Sequence, residues 1–286
     1  ESNNWEFDTL DGLVTHLSEA NLYRRPEGMD EAQYCDHLVA ELEATIAEIG
    51  ADNIAAFIAE PIMGAGGVLV APRGYHARMQ EVLRAHDILY IADEVVTGFG
   101  RLGHIFASEA VFDTQPDVIN LAKGLSSGYA PLGATLISDR LYEVLGTPQG
   151  KGGVLSTGFT YSGHPVSCAA ALKNIEILER EELCANVREV GPYLEQALAT
   201  LSRHPTVGDV RGSHFMMCIE NVADKDTKAL FPVDARVGDR VAFEAQQRGL
   251  IIRPVGHLNV ISPPLIWTRD TVDEAVAILD EALAAT

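Results

Sequence analysis

Two short apolar runs in the first half of the chain, Ile54-Ala55-Ala56-Phe57-Ile58-Ala59 and Ile88-Leu89-Tyr90-Ile91-Ala92, each end on a carboxylate, Glu60 and Asp93. Runs of this length suit buried strands and are short for helices. Between them a glycine-rich turn, Gly64-Ala65-Gly66-Gly67, leads into a stretch from about Gly74 to His86 that predicts a helix. Ahead of them Tyr34, Leu38, Leu42, Ile46 and Ile49 recur at spacings of four and three, which predicts an amphipathic helix over 30–49. Further strands are expected at Val118–Leu121 and Ala134–Ile137. Strands and helices in this alternation predict an α/β fold with a mostly parallel sheet, its strands buried on both faces. Such sheets gather their ligands at the carboxyl ends of the strands.

The first thirty residues show no clear period and read as an extended, docked segment. Beyond Pro165 the pattern changes to a long helix from Ala169 to about Arg180, a second helix from Val187 to Leu201, and short strands. A last helix is marked by Val272, Val276, Leu279 and Leu283, with Thr268 as N-cap and Asp270 in the first turn. The expected organisation is a large α/β domain over 1–170 and a small α+β domain over 171–286. With 21 basic and 41 acidic residues the net charge is −20, which argues against nucleic acid or an anionic membrane as partner. Cys35, Cys168, Cys184 and Cys218 form no C-x-x-C pair, so neither a metal site nor a disulfide framework is expected. No apolar run approaches 18 residues, and Glu1-Ser2-Asn3-Asn4 has neither a basic nor an apolar leader character, so a cytoplasmic location is expected. A chain that starts with glutamate also raises the expectation of a missing or processed N-terminal region.

The chemistry concentrates in Asp93-Glu94-Val95-Val96-Thr97-Gly98-Phe99-Gly100-Arg101 and in Leu121-Ala122-Lys123-Gly124-Leu125-Ser126-Ser127-Gly128, each just past an apolar strand. A carboxylate and a lysine at one edge of a parallel sheet match what pyridoxal phosphate needs. The lysine forms an imine with the aldehyde, and the carboxylate keeps the pyridine nitrogen protonated so that the ring accepts electrons. On these two residues alone, a turn-capping aspartate and a solvated lysine stay open as alternatives. Gly64–Gly67 lacks the G-x-G-x-x-G context of a dinucleotide loop.

Four motifs in order, AAFIAEPIMGAGGV, IADEVVTGFGRLG, LAKGLSSGYAPLGA and GFTYSGHPVSCAAAL, closely resemble the class III pyridoxal-phosphate aminotransferases of fold type I. The resemblance implies a fold type I large domain, incomplete at its N-terminus, followed by a small α+β domain. It makes Lys123 the imine-forming base, Asp93 the pyridine partner and Val95 the apolar face under the ring, with Glu60 either a further cofactor-side residue or a strand-end carboxylate that caps a neighbouring turn. Thr160 resembles the family's threonine that reaches the cofactor phosphate of a neighbouring subunit, which implies a homodimer or dimer of dimers. The family's N-terminal glycine/serine turn for the phosphate and its ring-stacking aromatic residue have no counterpart in this chain. Relatives that use 2-oxoglutarate carry a glutamate where this chain has Ala65 and an arginine where it has Val260. By resemblance Arg253 instead occupies the place of the mobile arginine by which amine:pyruvate aminotransferases bind a carboxylate, a role that suits a bidentate guanidinium; a surface arginine at a strand end is the alternative. The expected activity is transfer of an amino group from an ω-amino acid, diamine or amine to pyruvate. A class III mutase or decarboxylase and a catalytically silent homologue are the alternatives. His164 and His257 read as structural.

Overall fold

A computed structural model of the chain describes residues 12–146, 155 and 157–286. The opening residues, from which the character of the N-terminus was read, lie outside them. In the large lobe α1 (Glu31–Ile49) begins at a reciprocal cap, Asp30 accepting from Gln33 N–H at 2.8 Å and Gln33 accepting from Asp30 N–H at 3.0 Å. There follow β1 (Ala56–Ala59), β2 (Ile62–Met63), β3 (Leu69–Val70), α2 (Tyr75–Ala85), β4 (Leu89–Asp93), α3 (Ala107–Phe112), β5 (Val118–Leu121), β6 (Ala134–Ile137) and α4 (Asp139–Gly146). The sheet runs β1-β4-β5-β6, parallel except for the antiparallel β6, as the alternation of strands and helices predicts. Leu38, Leu42 and Ile46 of α1 and Met79 and Leu83 of α2 bury one face of β1 and β4 together with Tyr90.

Burial on both faces does not hold among the described residues. Side chains alternate along a strand. Phe57 and Ala59 pack toward α1 and α2, whereas Ile58, out of phase with them, is 58% exposed, and Leu136 and Ile137 of β6 are exposed as well. Other boundaries shift for local reasons. β1 starts two residues later than expected because residues 51–53 wind into a tight turn. The hairpin β2–β3 and the short helices α3 and α4 carry too few residues to show a period.

The second half contributes α5 (Pro165–Arg180), α6 (Leu183–Ala199), β7 (Val207–Ser213), β8 (Met216–Asn221), α7 (Val237–Gln247), β9 (Arg253–Val255), β10 (Leu258–Ile261) and α8 (Arg269–Ala284). α5 starts four residues before the expected Ala169 because Pro165 occupies its first turn, where a missing N–H has no consequence. An antiparallel sheet, β7-β8-β10-β9, packs Met217, Ile219 and Ile261 against Leu194, Leu198, Val241 and Leu279 of α6, α7 and α8. Thr268 caps α8 as expected, accepting from Thr271 N–H at 3.3 Å. The four cysteines are free. No helix among the described residues is long and apolar enough to cross a membrane.

Charge fastens the segment before α1 to the small lobe, the antiparallel sheet with α6, α7 and α8. Glu220, almost wholly buried in β8, is paired with Arg24 and with Arg211 Nη1 at 2.6 Å, and His257 Nε2 lies 3.6 Å away. Burial alone would raise this carboxyl's pKa, but hydrogen bonds from His257, Arg24 and Arg211 outweigh it and hold the pKa down at about 2. A carboxyl depressed in the folded state stabilises above its unfolded pKa near 4.5, and that contribution is lost as pH falls toward 2. Glu220→Gln should therefore lower unfolding free energy at neutral pH by about 3 kcal/mol. In urea titrations the gap from the wild type should close between pH 4.5 and pH 2. A gap of constant size across that range would show that the pairing is not its source.

Candidate active site

The parallel ladder brings three strand ends side by side. Ala59 of β1 pairs with Ala92 of β4, and Asp93 pairs with Asn120 of β5, so Glu60, Asp93 and Lys123 follow or close adjacent strands at one carboxyl edge. Glu60 accepts from Gly64 N–H at 2.8 Å, and its carboxyl is shifted upward. Burial is the main cause and the negative charge of Asp93 adds to it, while the Gly64 N–H and the Lys123 ammonium oppose it. The three side chains thus share one electrostatic neighbourhood. Asp93 Oδ1 accepts from Val95 N–H at 3.0 Å, which fixes the carboxylate's orientation. Val95 itself is half-buried.

Lys123 opens a single tight turn and holds φ at +38°, a left-handed conformation unusual for a side-chain-bearing residue. Its neighbours hold it there. A Cβ on Gly124 would lie 2.9 Å from Phe99 Cβ, and Asn174 of α5 donates to the carbonyls of Gly124 and Leu125 at 2.8 and 3.2 Å. The lysine is exposed, and among the described residues its ammonium makes no hydrogen bond or ion pair.

Arg253 is placed through the small lobe. It pairs across the ladder with Val260, and directly opposed residues project to the same face of a sheet. Val260 and Val255 pack with Ile62 and Val96 of the large lobe, so Arg253 belongs to the face that meets that lobe, and it is exposed. Thr160 is not brought to the group. It sits in an exposed turn before α5, where Phe159 N–H donates to Ser162 Oγ at 3.0 Å. The glycine-rich turn serves the packing between the lobes. Gly67, at φ +108°, lies against Leu258, and its carbonyl accepts from Arg211 at 2.8 Å.

Glu94 carries no expected role within its motif, yet it organises the site's longest loop. Fully buried, it accepts from Ala107 N–H at 2.7 Å, Ser108 N–H at 2.8 Å, Ser108 Oγ at 2.6 Å and Thr97 Oγ1 at 3.2 Å. It thereby caps α3, whose own N-cap residue is the apolar Phe106. A helix start without a polar N-cap, thirteen residues past an acid, was the only trace of this in the sequence. Each carboxylate oxygen faces one backbone N–H, so the isosteric Glu94→Gln must turn its amide NH2 against a donor. The variant should lose about 2–3 kcal/mol in denaturant titration, as for a buried donor left unsatisfied. A loss below about 1 kcal/mol would contradict this account of the loop.

Residues 8–283 match the family described as Aminotransferase class-III. An uncharacterized aminotransferase of Sinorhizobium fredii is 43% identical over 275 residues, which cover 95% of this chain and 58% of that protein. The diaminobutyrate–2-oxoglutarate transaminase of Halomonas elongata is 42% identical over 283 residues, 97% of this chain and 60% of its own length. The crystal structure of an (S)-enantioselective omega-transaminase from Thermomicrobium roseum superposes with a TM-score of 0.90 at 42% identity, covering 95% of this chain and 60% of that one. The chain spans less than two thirds of the length of each of these relatives. With the ordered motifs, the shared strand edge and the matched fold in agreement, the chain belongs to the class III aminotransferases and is structurally close to the omega- and amine transaminases.

Proposed function

We propose that this protein transfers an amino group from an ω-amino acid, a diamine or an amine to pyruvate, with pyridoxal phosphate as its cofactor. The observation that carries the reading is the placement of Lys123 and Asp93 at the carboxyl ends of adjacent parallel strands. The residues present fit the group: an exposed amine without a partner among the described residues, an oriented carboxylate and a half-buried apolar side chain. What pyridoxal phosphate supplies when bound is an aldehyde for the amino group and a ring that takes up the electrons of the bond that breaks.

Lys123 Nζ is the proton carrier in this reading. With no ion pair to its ammonium among the described residues, Lys123 Nζ would take a proton from the donor's amine-bearing carbon and later give it back to the bound substrate–cofactor unit. Asp93, its carboxylate kept in one orientation by the Val95 N–H, would hold a proton on the nitrogen of a bound pyridine ring. Val95 would support the ring's face, and Glu60 would border the same space. Thr160 would reach a phosphate bound by a second copy of the chain, which supports a homodimer or dimer of dimers. Exposed Phe159 and Tyr161 on either side of it, at 83% and 79%, favour a covered surface there. The division into a cofactor-binding domain over 1–170 and a small domain over 171–286 belongs to the same proposal.

Pyruvate as acceptor rests on Arg253, with Ala65 and Val260 where dicarboxylate-using relatives carry a glutamate and an arginine. In a protein of net charge −20 an incoming carboxylate meets long-range repulsion that salt screens in part, so a local cation must supply its binding.

Lys123→Ala should abolish transamination with the far-ultraviolet spectrum unchanged, because the exposed side chain contributes no packing. Asp93→Asn should slow the reaction by on the order of a thousandfold or more, since an unprotonated ring is a poor electron sink. Steady-state assays with an amine donor and pyruvate check both, and near-native turnover in either variant would contradict the role of the residue replaced. Arg253→Ala should raise KM for pyruvate about tenfold to a hundredfold, the loss of a charge-assisted bidentate contact. The half-reaction with a simple amine should barely change. An equal loss in both halves would mean that Arg253 supports the fold and does not read the carboxylate.

A further inference from the structure

One residue of the Asp93 motif plays no part in the proposed chemistry: Arg101, at the tip of the loop that Glu94 closes. The loop doubles back on itself, Phe99 N–H donating to Ile105 O at 2.7 Å and Gly100 N–H to His104 O at 2.9 Å. From its tip the part-buried Arg101 guanidinium leaves the large lobe. Its Nη1 donates to Phe215 O at 3.1 Å and to Pro263 O at 2.6 Å. Both acceptors are backbone carbonyls of the small lobe, one in the turn between β7 and β8, the other two residues beyond β10. Among the described residues no carboxylate pairs with Arg101, and burial pulls its guanidinium down to about 10. Withdrawing a cation from water against neutral dipoles alone is costly, and an apolar side chain would occupy the space at lower cost.

The tip is fitted closely on both sides. A Cβ on Gly100 would lie 2.8 Å from Leu265 Cδ1, and one on Gly103 would lie 2.5 Å from Arg188 Cγ. Arg188 in turn donates to the Gly103 carbonyl. The base of the loop touches the lysine turn, where Phe99 leaves no room for a Cβ on Gly124. Pro263 follows β10, whose Val260 pairs across the ladder with Arg253, while Phe99 of the loop packs against Gly124, the residue after Lys123.

We infer that Arg101 is a positioning residue that fixes Arg253 relative to Lys123, and so sets the affinity for the acceptor's carboxylate without touching substrate. The inference rests on the proposed role of Arg253.

The test is the kinetics of both half-reactions in Arg101→Met, which keeps length without donors, and in Arg101→Lys, which keeps charge and one donor group. Arg101→Met should raise KM for pyruvate about tenfold while the half-reaction with a simple amine changes less than about threefold. Arg101→Lys should fall between it and the wild type, and it carries the same comparison alone if the methionine variant does not fold. Amide exchange over 253–261 should quicken in the variants, while β1 and β4 keep their protection. In an Arg253→Ala background Arg101→Met should add no further rise, because the two act on one contact. Equal losses in both half-reactions, an additive double variant, or unchanged exchange over 253–261 would overturn the inference. If Arg253→Ala alone leaves KM for pyruvate unchanged, the acceptor reading fails first. If Arg253→Ala raises it and neither Arg101 variant does, this inference alone fails.

Discussion

The buried carboxylate of Glu94 is the interaction on which the site's geometry depends. One side chain closes the loop from the end of β4 to the start of α3 by accepting two backbone N–H groups and two hydroxyls. Unpaired, a buried carboxylate would be strongly unfavourable, and so would the two N–H groups of α3. Together they leave the loop one arrangement. Asp93 precedes that loop, Arg101 tips it, and Phe99 within it backs the turn that carries Lys123. Residues distant in sequence are thus held by a single polar contact set.

The same logic places charge elsewhere. Glu220, almost wholly buried, is paired with Arg24 and Arg211, and the pairing sews the segment before α1 to β8. Where charge faces the strand edge it is left open: Lys123 and Arg253 make no ion pair among the described residues. In an acidic protein, open cations that escape the surrounding carboxylates are available to an anionic ligand.

Much of this was legible in the sequence, for definite reasons. Strands β1, β4 and β5 and helix α1 announce themselves by apolar runs and by a 3.6-residue period, and the strand-end positions of Asp93 and Lys123 follow from them. What did not show were features that depend on chain segments meeting. Glu94 caps a helix thirteen residues away, a contact no local pattern encodes, since N-cap signals lie within one turn of a helix start. The open face of β1 and β6 did not show either, because an apolar run states that a strand can be buried without stating what covers it. The hairpin β2–β3 has two residues per strand, below any period. Arg253 stands out through its motif, but its sheet face became definite only with the ladder that pairs it with Val260.

The proposed chemistry stands or falls with Lys123 as the residue to which the cofactor attaches. The most direct measurement is to add pyridoxal phosphate to the purified protein, reduce with borohydride, and map the modified peptide by mass spectrometry. The expected result is a pyridoxyl group on Lys123 and none on Lys151, Lys173, Lys225 or Lys228. A label on one of those lysines, or none on Lys123, would contradict it.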